Sequence, residues 1–457
     1  MSKGKVYLVG SGPGDPRLLT CRAKQLLSKT DVVCYDKLVS AAILSLIPED
    51  VEMHEVGYRG YQGTHIDYGM HPEVIEFALR GKNVTRLKAG DPCIFGRTTE
   101  ECRSLNELGI AYEIIPGITA ALGAASYSGF PLTSAGSASS VTFVSGHKNT
   151  DAMEDWVTNS NKSGTLVLYM GAKKLAEHTQ HMMDKGVSPS LPMAVISSAT
   201  SADHKCIIGT VENMARRVED LGYVGPALVI AGDVVTQSKE LDWRQYLPMA
   251  GCKVLICGSY EHAEMLREMG AEVISVDVTK VRPTINEQTL LELCDKPEIE
   301  FIDVSAFEAW WQALVMYKID VRQFRNPLSS AEPKVQNAMS KLGLRCDKPS
   351  NDAFRLGTTL GGIEGSGDLA IGSVDLCLPR YELPQVAWTL VSDFNIYQAI
   401  KEQQPSSLEH AQFVALNPVI HRMAKELKEV CDYEDIPWFV HTESESLISN
   451  LGDVHAV

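Results

Sequence analysis

Short continuous apolar runs recur through the first half of the chain: VYLVG at 6–10, DVVCYD at 31–36, VTRL at 84–87, YEIIP at 112–116, SVTFVSG at 140–146, TLVLYMG at 165–171, PMAVIS at 192–197 and PALVIAGDVV at 226–235. Runs of this length without alternation read as strands buried on both faces. Between them lie stretches of helical spacing, such as 17–29 and HPEVIEFALRGK. Strand and helix in alternation predict an α/β protein with a mostly parallel sheet. From about 238 to 250 the segment SKELDWRQYLPMAG loses periodicity and reads as a linker; KVLICG at 253–258 then opens a second βαβ pattern. Two domains are expected, 1–245 and 251–457.

Composition narrows the class without naming it. The 457 residues are 44% hydrophobic and 22% charged, which is ordinary for a globular chain. No apolar stretch reaches the roughly 18 residues of a membrane span and no signal sequence precedes the first strand, so a cytoplasmic protein is expected. The 11 cysteines are scattered, the nearest pair being Cys252 and Cys257, which predicts reduced thiols and no metal site. The net charge of −16 argues against binding nucleic acid or an anionic membrane. It is unevenly placed: 24 basic against 27 acidic residues up to 250, but 18 against 31 beyond.

Five turns carry the candidate chemistry because they follow strands, where open α/β sheets bind ligands. They are GSGPGDP (10–16), RLKAGDPCIFGRTTEE (86–101), IPGITAALGAASYSGFPLTS (115–134), LYMG (168–171) and GPALVIAGDVV (225–235). The first resembles a dinucleotide fingerprint, yet its third glycine comes one residue early and Pro13 removes an N–H from the cradle. A phosphate site is therefore not expected there. Each turn alone is explained by ordinary turn chemistry.

Taken together and in order, residues 5–237 resemble the tetrapyrrole methylases, and within them the uroporphyrinogen-III C-methyltransferases; YDKLVS (35–40) and SASSVTFVSGH (137–147) extend the likeness. The resemblance implies two α/β subdomains around a cleft for S-adenosylmethionine, which leaves as S-adenosylhomocysteine, and methyl transfer to carbon yielding precorrin-2 for sirohaem or cobalamin. By the same resemblance Pro13, Ala89, Gly90, Asp91, Thr119, Ala120, Met170, Ala199 and Ala227 line the cofactor site. Asp36, Arg97 and Glu100 are the catalytic candidates, with Arg97 on a substrate carboxylate and Glu100 as base. A tetrapyrrole substrate and a homodimer are the implied partners.

The sequence departs from the family pattern mainly where substrate would bind. VGKR becomes VGYR at Tyr58, the segment DYGMH (67–71) differs, and PLTHR becomes PLTSA, with Ser134 and Ala135 in place of two basic residues. Arg59, His65, His71 and Lys88 are the residues available to replace the missing charge. Ala89 stands where a glycine is usual. Residues 251–457 faintly resemble uroporphyrinogen-III synthase, through KVLICG, FIDVSAFEAWWQAL (301–314), AEPKVQNAMSKLGLRC (331–346) and VALNPVIHRMAKEL (414–427), with Glu332 and Asn417 replacing the expected turn glycines. Two readings follow: a methyltransferase with or without attached synthase activity, and a weakened protein that binds the cofactor or a tetrapyrrole as a partner.

Overall fold

The computed structural model describes residues 3–415 except 49, 58–68, 147–155, 157–163, 223–225, 259–262, 277–278, 361–362, 365–366, 377–378 and 393. Tyr58, Arg59, His65, Asp67, Tyr68, His147 and most of 414–427 therefore lie outside the described residues.

Strands β1 (Val6–Gly10), β2 (Val32–Tyr35), β3 (Glu52–Glu55), β4 (Val84–Lys88) and β5 (Tyr112–Ile115) form one sheet in the order β3-β2-β4-β1-β5. Every pair in it is parallel, so all five strands end at the same edge. Helices α1 (Cys21–Leu27), α2 (Ala41–Leu44), α3 (Pro72–Leu79) and α4 (Thr98–Glu107) lie between the strands in sequence. Thr20 caps α1 by accepting from the Ala23 amide, and Ser40 caps α2 by accepting from that of Ile43. The predicted helix 17–29 is thus shorter than expected, because Pro16–Leu18 makes a separate 3-10 turn before the Thr20 cap. Valines and leucines of β1, β2 and β4 are fully buried on both faces.

The second sheet runs β6 (Ser140–Ser145), β7 (Gly164–Tyr169), β10 (Ala227–Ala231), β8 (Pro192–Ser197), β9 (Lys205–Thr210). Only β6 and β7 are parallel; β10 runs against both β7 and β8, and β8 against β9. A mostly parallel arrangement does not extend to this sheet. Its central strands are apolar on both faces whichever way they run, so the residue pattern carries no direction. Helix α5 (Ala120–Tyr127) precedes this sheet in the chain and packs on it through Ala121, Ala124 and Ala125.

Beyond residue 250 the chain forms β11 (Lys253–Cys257) and β12 (Glu272–Val276), which join Trp388–Val391 and Gln412–Ala415 in a parallel four-stranded sheet. This sheet belongs to the same compact unit as the first half, a unit made of the residues up to Val276 and those from Pro379 onward. The second unit, Asp277–Leu378, has its own sheet, against which the helix Val304–Tyr317 packs with Trp310 and Phe307 buried. The segment 238–250, expected as a linker, is packed instead. Trp243 Nε1 donates to the Ser126 carbonyl at 2.9 Å, and Met249 is wholly buried in the core of the third sheet.

Candidate functional site

Parallel strands deliver their following loops to one edge, and in the first sheet those loops are fused backbone to backbone. A methyl group added at Gly10 would lie 2.6 Å from the Gly90 carbonyl oxygen, and one at Gly117 only 2.3 Å from the same atom. Gly12 and Gly90 exchange both backbone hydrogen bonds, at 3.1 and 2.8 Å, with φ of +73° and +71°. Only glycine adopts such angles without strain. Asp91 closes the arrangement: one carboxylate oxygen accepts from the Cys93 amide at 2.8 Å and the other from that of Gly117 at 2.9 Å. Ser40 joins in by donating to the Gly14 carbonyl at 2.7 Å, which ties YDKLVS to the GPGDP turn.

The second sheet brings its own loops to meet these. Because β10 is antiparallel to β7 and β8, its first residue Ala227 pairs with Ser197, beside the turns holding Met170 and Ala199. Tyr169 bridges the two sets of loops. Its hydroxyl shares a 2.6 Å hydrogen bond with Thr119 Oγ1 and accepts from the Ala121 amide at 3.1 Å, while its ring meets Phe95 at 4.9 Å. Burial raises the Tyr169 pKa, so the hydroxyl stays protonated at neutral pH. Thr200 makes a second bridge, accepting from the Asp15 amide at 3.0 Å. Pro13 and Thr200 both crowd the position of a Cβ on Gly123.

Backbone strain marks the same region. Phe95, Arg97, Met170, Ser198 and Thr200, none of them glycine, have φ between +45° and +68°. Residues held in left-handed angles cluster at ligand sites, because the surrounding structure must enforce them. Phe95 and Met170 remain 43% and 44% exposed despite being large and apolar.

A buried charge network underlies the edge. Arg86 and Lys88 on β4 are 4% and 6% exposed. Arg86 binds the Asp36 carboxylate and lies 3.8 Å from Glu101 Oε1, to which Lys88 donates at 2.6 Å. Lys88 is thus consumed by Glu101 and is not a spare positive charge for substrate. Glu100, one residue earlier on α4, is half-buried, and among the described residues its carboxylate forms no ion pair. Arg97 is the residue before α4, with φ +58°. His71 caps α3, its Nδ1 accepting from the Glu73 amide at 3.3 Å. Ser134 accepts from Gln237 at 3.1 Å, while Ala135 is exposed in the neighbouring loop.

The structure therefore gathers Pro13, Ala89, Gly90, Asp91, Thr119, Ala120, Met170, Ala199 and Ala227 at the meeting edges of two sheets, with Asp36 and Arg97 on the loops after β2 and β4 and Glu100 in the first turn of α4. Asp91 and Thr119 spend their side chains on the protein itself. Reading the sequence missed Arg86, Glu101 and Tyr169. The double acid in TTEE and the unusual charges of RLK inside a strand are the signals for the first two; Tyr169 gives none beyond its place at a strand end.

Behind the GPGDP turn lies a second group of polar residues. Burial alone would raise the Asp15 pKa, but donation from Arg17 and from the Tyr127 hydroxyl at 2.7 Å outweighs it and holds the carboxyl below its reference of 3.8. Burial, aided by Arg244, pushes His204 down to about 4. Between its reference of 6.5 and that value the unfolded chain takes up a proton that the folded chain refuses, so this residue's contribution is full above pH 6.5 and fades as pH falls. Urea midpoints measured from pH 7 to pH 4 should accordingly fall more steeply for the natural chain than for His204→Gln. Parallel slopes would show that His204 is solvated.

Fold and site together define an α/β protein with a candidate small-molecule site where the loops of its first two sheets meet. The model for tetrapyrrole (corrin/porphyrin) methylases matches residues 5–215. A uroporphyrinogen-III C-methyltransferase of Bacillus subtilis is 34% identical over 352 residues, covering 75% of this chain and 72% of the relative. An S-adenosyl-L-methionine-dependent uroporphyrinogen III methyltransferase of Methanosarcina barkeri is 41% identical over 235 residues, 51% of this chain and 92% of the relative. The chain belongs to the tetrapyrrole methylase family. A siroheme synthase of Hahella chejuensis is 43% identical over 241 residues; there the match covers 52% of this chain and about half of the relative, 51%. Among the described residues no helix is long and apolar enough to cross a membrane.

Proposed function

We propose that this chain is an S-adenosylmethionine-dependent uroporphyrinogen-III C-methyltransferase that makes precorrin-2 for sirohaem or cobalamin. The observation that carries the reading is the convergence of the five turns singled out in the sequence onto one strained, glycine-lined edge. The residues suit the donor chemically. The turns 11–15, 116–119 and 198–202 contain no lysine or arginine, as suits a sulfonium cation rather than a phosphate. Met170 and Phe95 offer apolar surface to a purine, and glycine backbones allow close approach. When bound, S-adenosylmethionine supplies an activated methyl group: the acceptor carbon forms the new C–C bond as the S–C bond breaks and its electron pair passes to sulfur.

The chain's own task is then positioning and one proton. Arg97 orients a carboxylate arm of the tetrapyrrole. Glu100 accepts the proton that the macrocycle then loses. Asp36 is held in place by Arg86. With these roles, Arg97→Leu should raise the tetrapyrrole KM about tenfold or more, and Glu100→Gln should lower kcat by about a hundredfold, with cofactor affinity unchanged in both. Parallel loss of cofactor binding would mean that both residues serve only the start of α4.

A second reading, a weakened binding protein, is favoured by Ser134 and Ala135, which leave that stretch without the expected positive charge. Residues 251–457 are read as a synthase-like region that is divided between the two compact units. The chain leaves the four-stranded sheet after Val276 and returns to it at Trp388, with Asp277–Leu378 set between as a separate unit. The region's ring-closing activity is expected to be weak or absent, because Glu332 and Asn417 replace the turn glycines and its charge opposes a polyanion.

A further inference from the structure

The loop between β8 and β9 is fixed from two sides. On one side Thr200 accepts from Asp15 in the GPGDP turn and, like Pro13, lies against Gly123. On the other, the Ala202 amide donates to Glu272 Oε2 at 2.9 Å, and Asp203 pairs with Lys253. Glu272 opens β12 and Lys253 opens β11, so both anchors come from beyond residue 250. They pack within the same compact unit as the loop.

Such anchoring has work to do because the loop is strained. Ser198 and Thr200 hold φ of +45° and +68°. For side-chain-bearing residues these angles persist only where neighbours over-determine them. Within the loop, Ser201 Oγ donates to the Ser198 carbonyl at 2.8 Å and the His204 amide to the Ser201 carbonyl at 3.2 Å. These bonds close the turn on itself but do not fix it in space. Glu272 and Lys253 do so, and the path from Glu272 through Ala202 and Thr200 ends at the Asp15 amide. The same cavity wall contains Gly14, Asp15, Tyr127, Arg244 and Glu272.

We propose that Glu272 is a positioning residue for the methyl-donor site: from the C-terminal half it fixes the loop that holds Ala199 and Thr200 against the GPGDP turn. The inference rests on the donor-binding reading above. It gives the C-terminal half a part in methyl transfer that needs no chemistry of its own. An acceptor atom is what the Ala202 amide requires, and burial raises the Glu272 pKa without removing that capacity, since a protonated carboxyl still accepts.

The test is calorimetric titration of the full chain with S-adenosylhomocysteine, alongside donor kinetics. Glu272→Ala should raise Kd and donor KM about fivefold to tenfold, with kcat within about twofold. Glu272→Gln keeps an acceptor oxygen and should bind as the natural chain does. Unchanged affinity in Glu272→Ala, or equal impairment of the glutamine variant, overturns the inference while leaving the proposed function intact. Failure of the natural chain to bind overturns both. If Glu272→Ala does not fold, Asp203→Ala decides: its side chain is 62% exposed, and losing the Lys253 pair should weaken binding about threefold, with no change counting against the inference.

Discussion

Replacing Arg86 with leucine should cost about 3–5 kcal/mol of folding stability, the range for breaking a buried ion pair from one side. The guanidinium lies inside β4 between the Asp36 carboxylate and Glu101, and its removal leaves Glu101 with Lys88 alone and Asp36 with no cation among the described residues. Glu101 is 7% exposed and cannot recruit water in compensation. Arg86→Lys should recover only part of the loss, since a point charge cannot span both acids as a planar fork does. The network is itself imperfect: among the described residues, Arg86 Nε and Glu101 Oε2 have no hydrogen-bond partner. Arg86→Leu combined with Glu101→Leu should therefore be less damaging than the two single losses added. Urea unfolding of the four chains measures this, and a loss below about 1 kcal/mol for Arg86→Leu would mean that the strand is wet.

Gly117→Ala should disrupt the site through a single added methyl group. The added carbon would sit 2.3 Å from the Gly90 carbonyl oxygen and 2.9 Å from the backbone of Gly10. No side chain can rotate away, so the ends of β1, β4 and β5 must separate. Overpacking of this kind costs about 1–3 kcal/mol. The separation would also pull the Gly117 amide from Asp91. S-adenosylhomocysteine affinity should fall more than about tenfold, beyond what the stability change alone implies, because the displaced backbone is the site wall itself. Gly186→Ala is the comparison. That glycine has φ +90° but open space around it, so the variant should lose stability while keeping its affinity. Equal affinities for the Gly117 variant and the natural chain would place the ligand elsewhere.

These two positions show what the residue pattern reveals and what it hides. The strands of the first sheet were legible, because they follow from a local property, buried apolar runs. The roles of Glu100 and Glu101 were not separable by reading TTEE. Only the rotation of α4 over β4 decides which acid meets Lys88. Asp91 reads as a ligand-facing turn residue, yet its carboxylate staples two loops whose sequence separation is 26 residues. The direction of β10 was invisible because a doubly buried strand has no sidedness. The packing of 238–250 was hidden by its irregular pattern, since short helical turns and the segment after them bury isolated residues, Ser238 and Met249, without a period. Glu272 escaped for a related reason: its partner is a backbone amide of the first half, which no residue type announces.

The central claim is that the converging turns hold a methyl donor for a tetrapyrrole. The most direct measurement is to incubate the full chain anaerobically with uroporphyrinogen III and S-adenosylmethionine carrying a deuterated methyl group, then weigh the tetrapyrrole by mass spectrometry. The account predicts a product bearing two labelled methyl groups, with S-adenosylhomocysteine released in equal number and both signals slowed in Gly117→Ala. An unlabelled tetrapyrrole recovered from a chain that nevertheless binds S-adenosylhomocysteine would contradict it, and would leave the chain as a binding protein built on a methyltransferase fold.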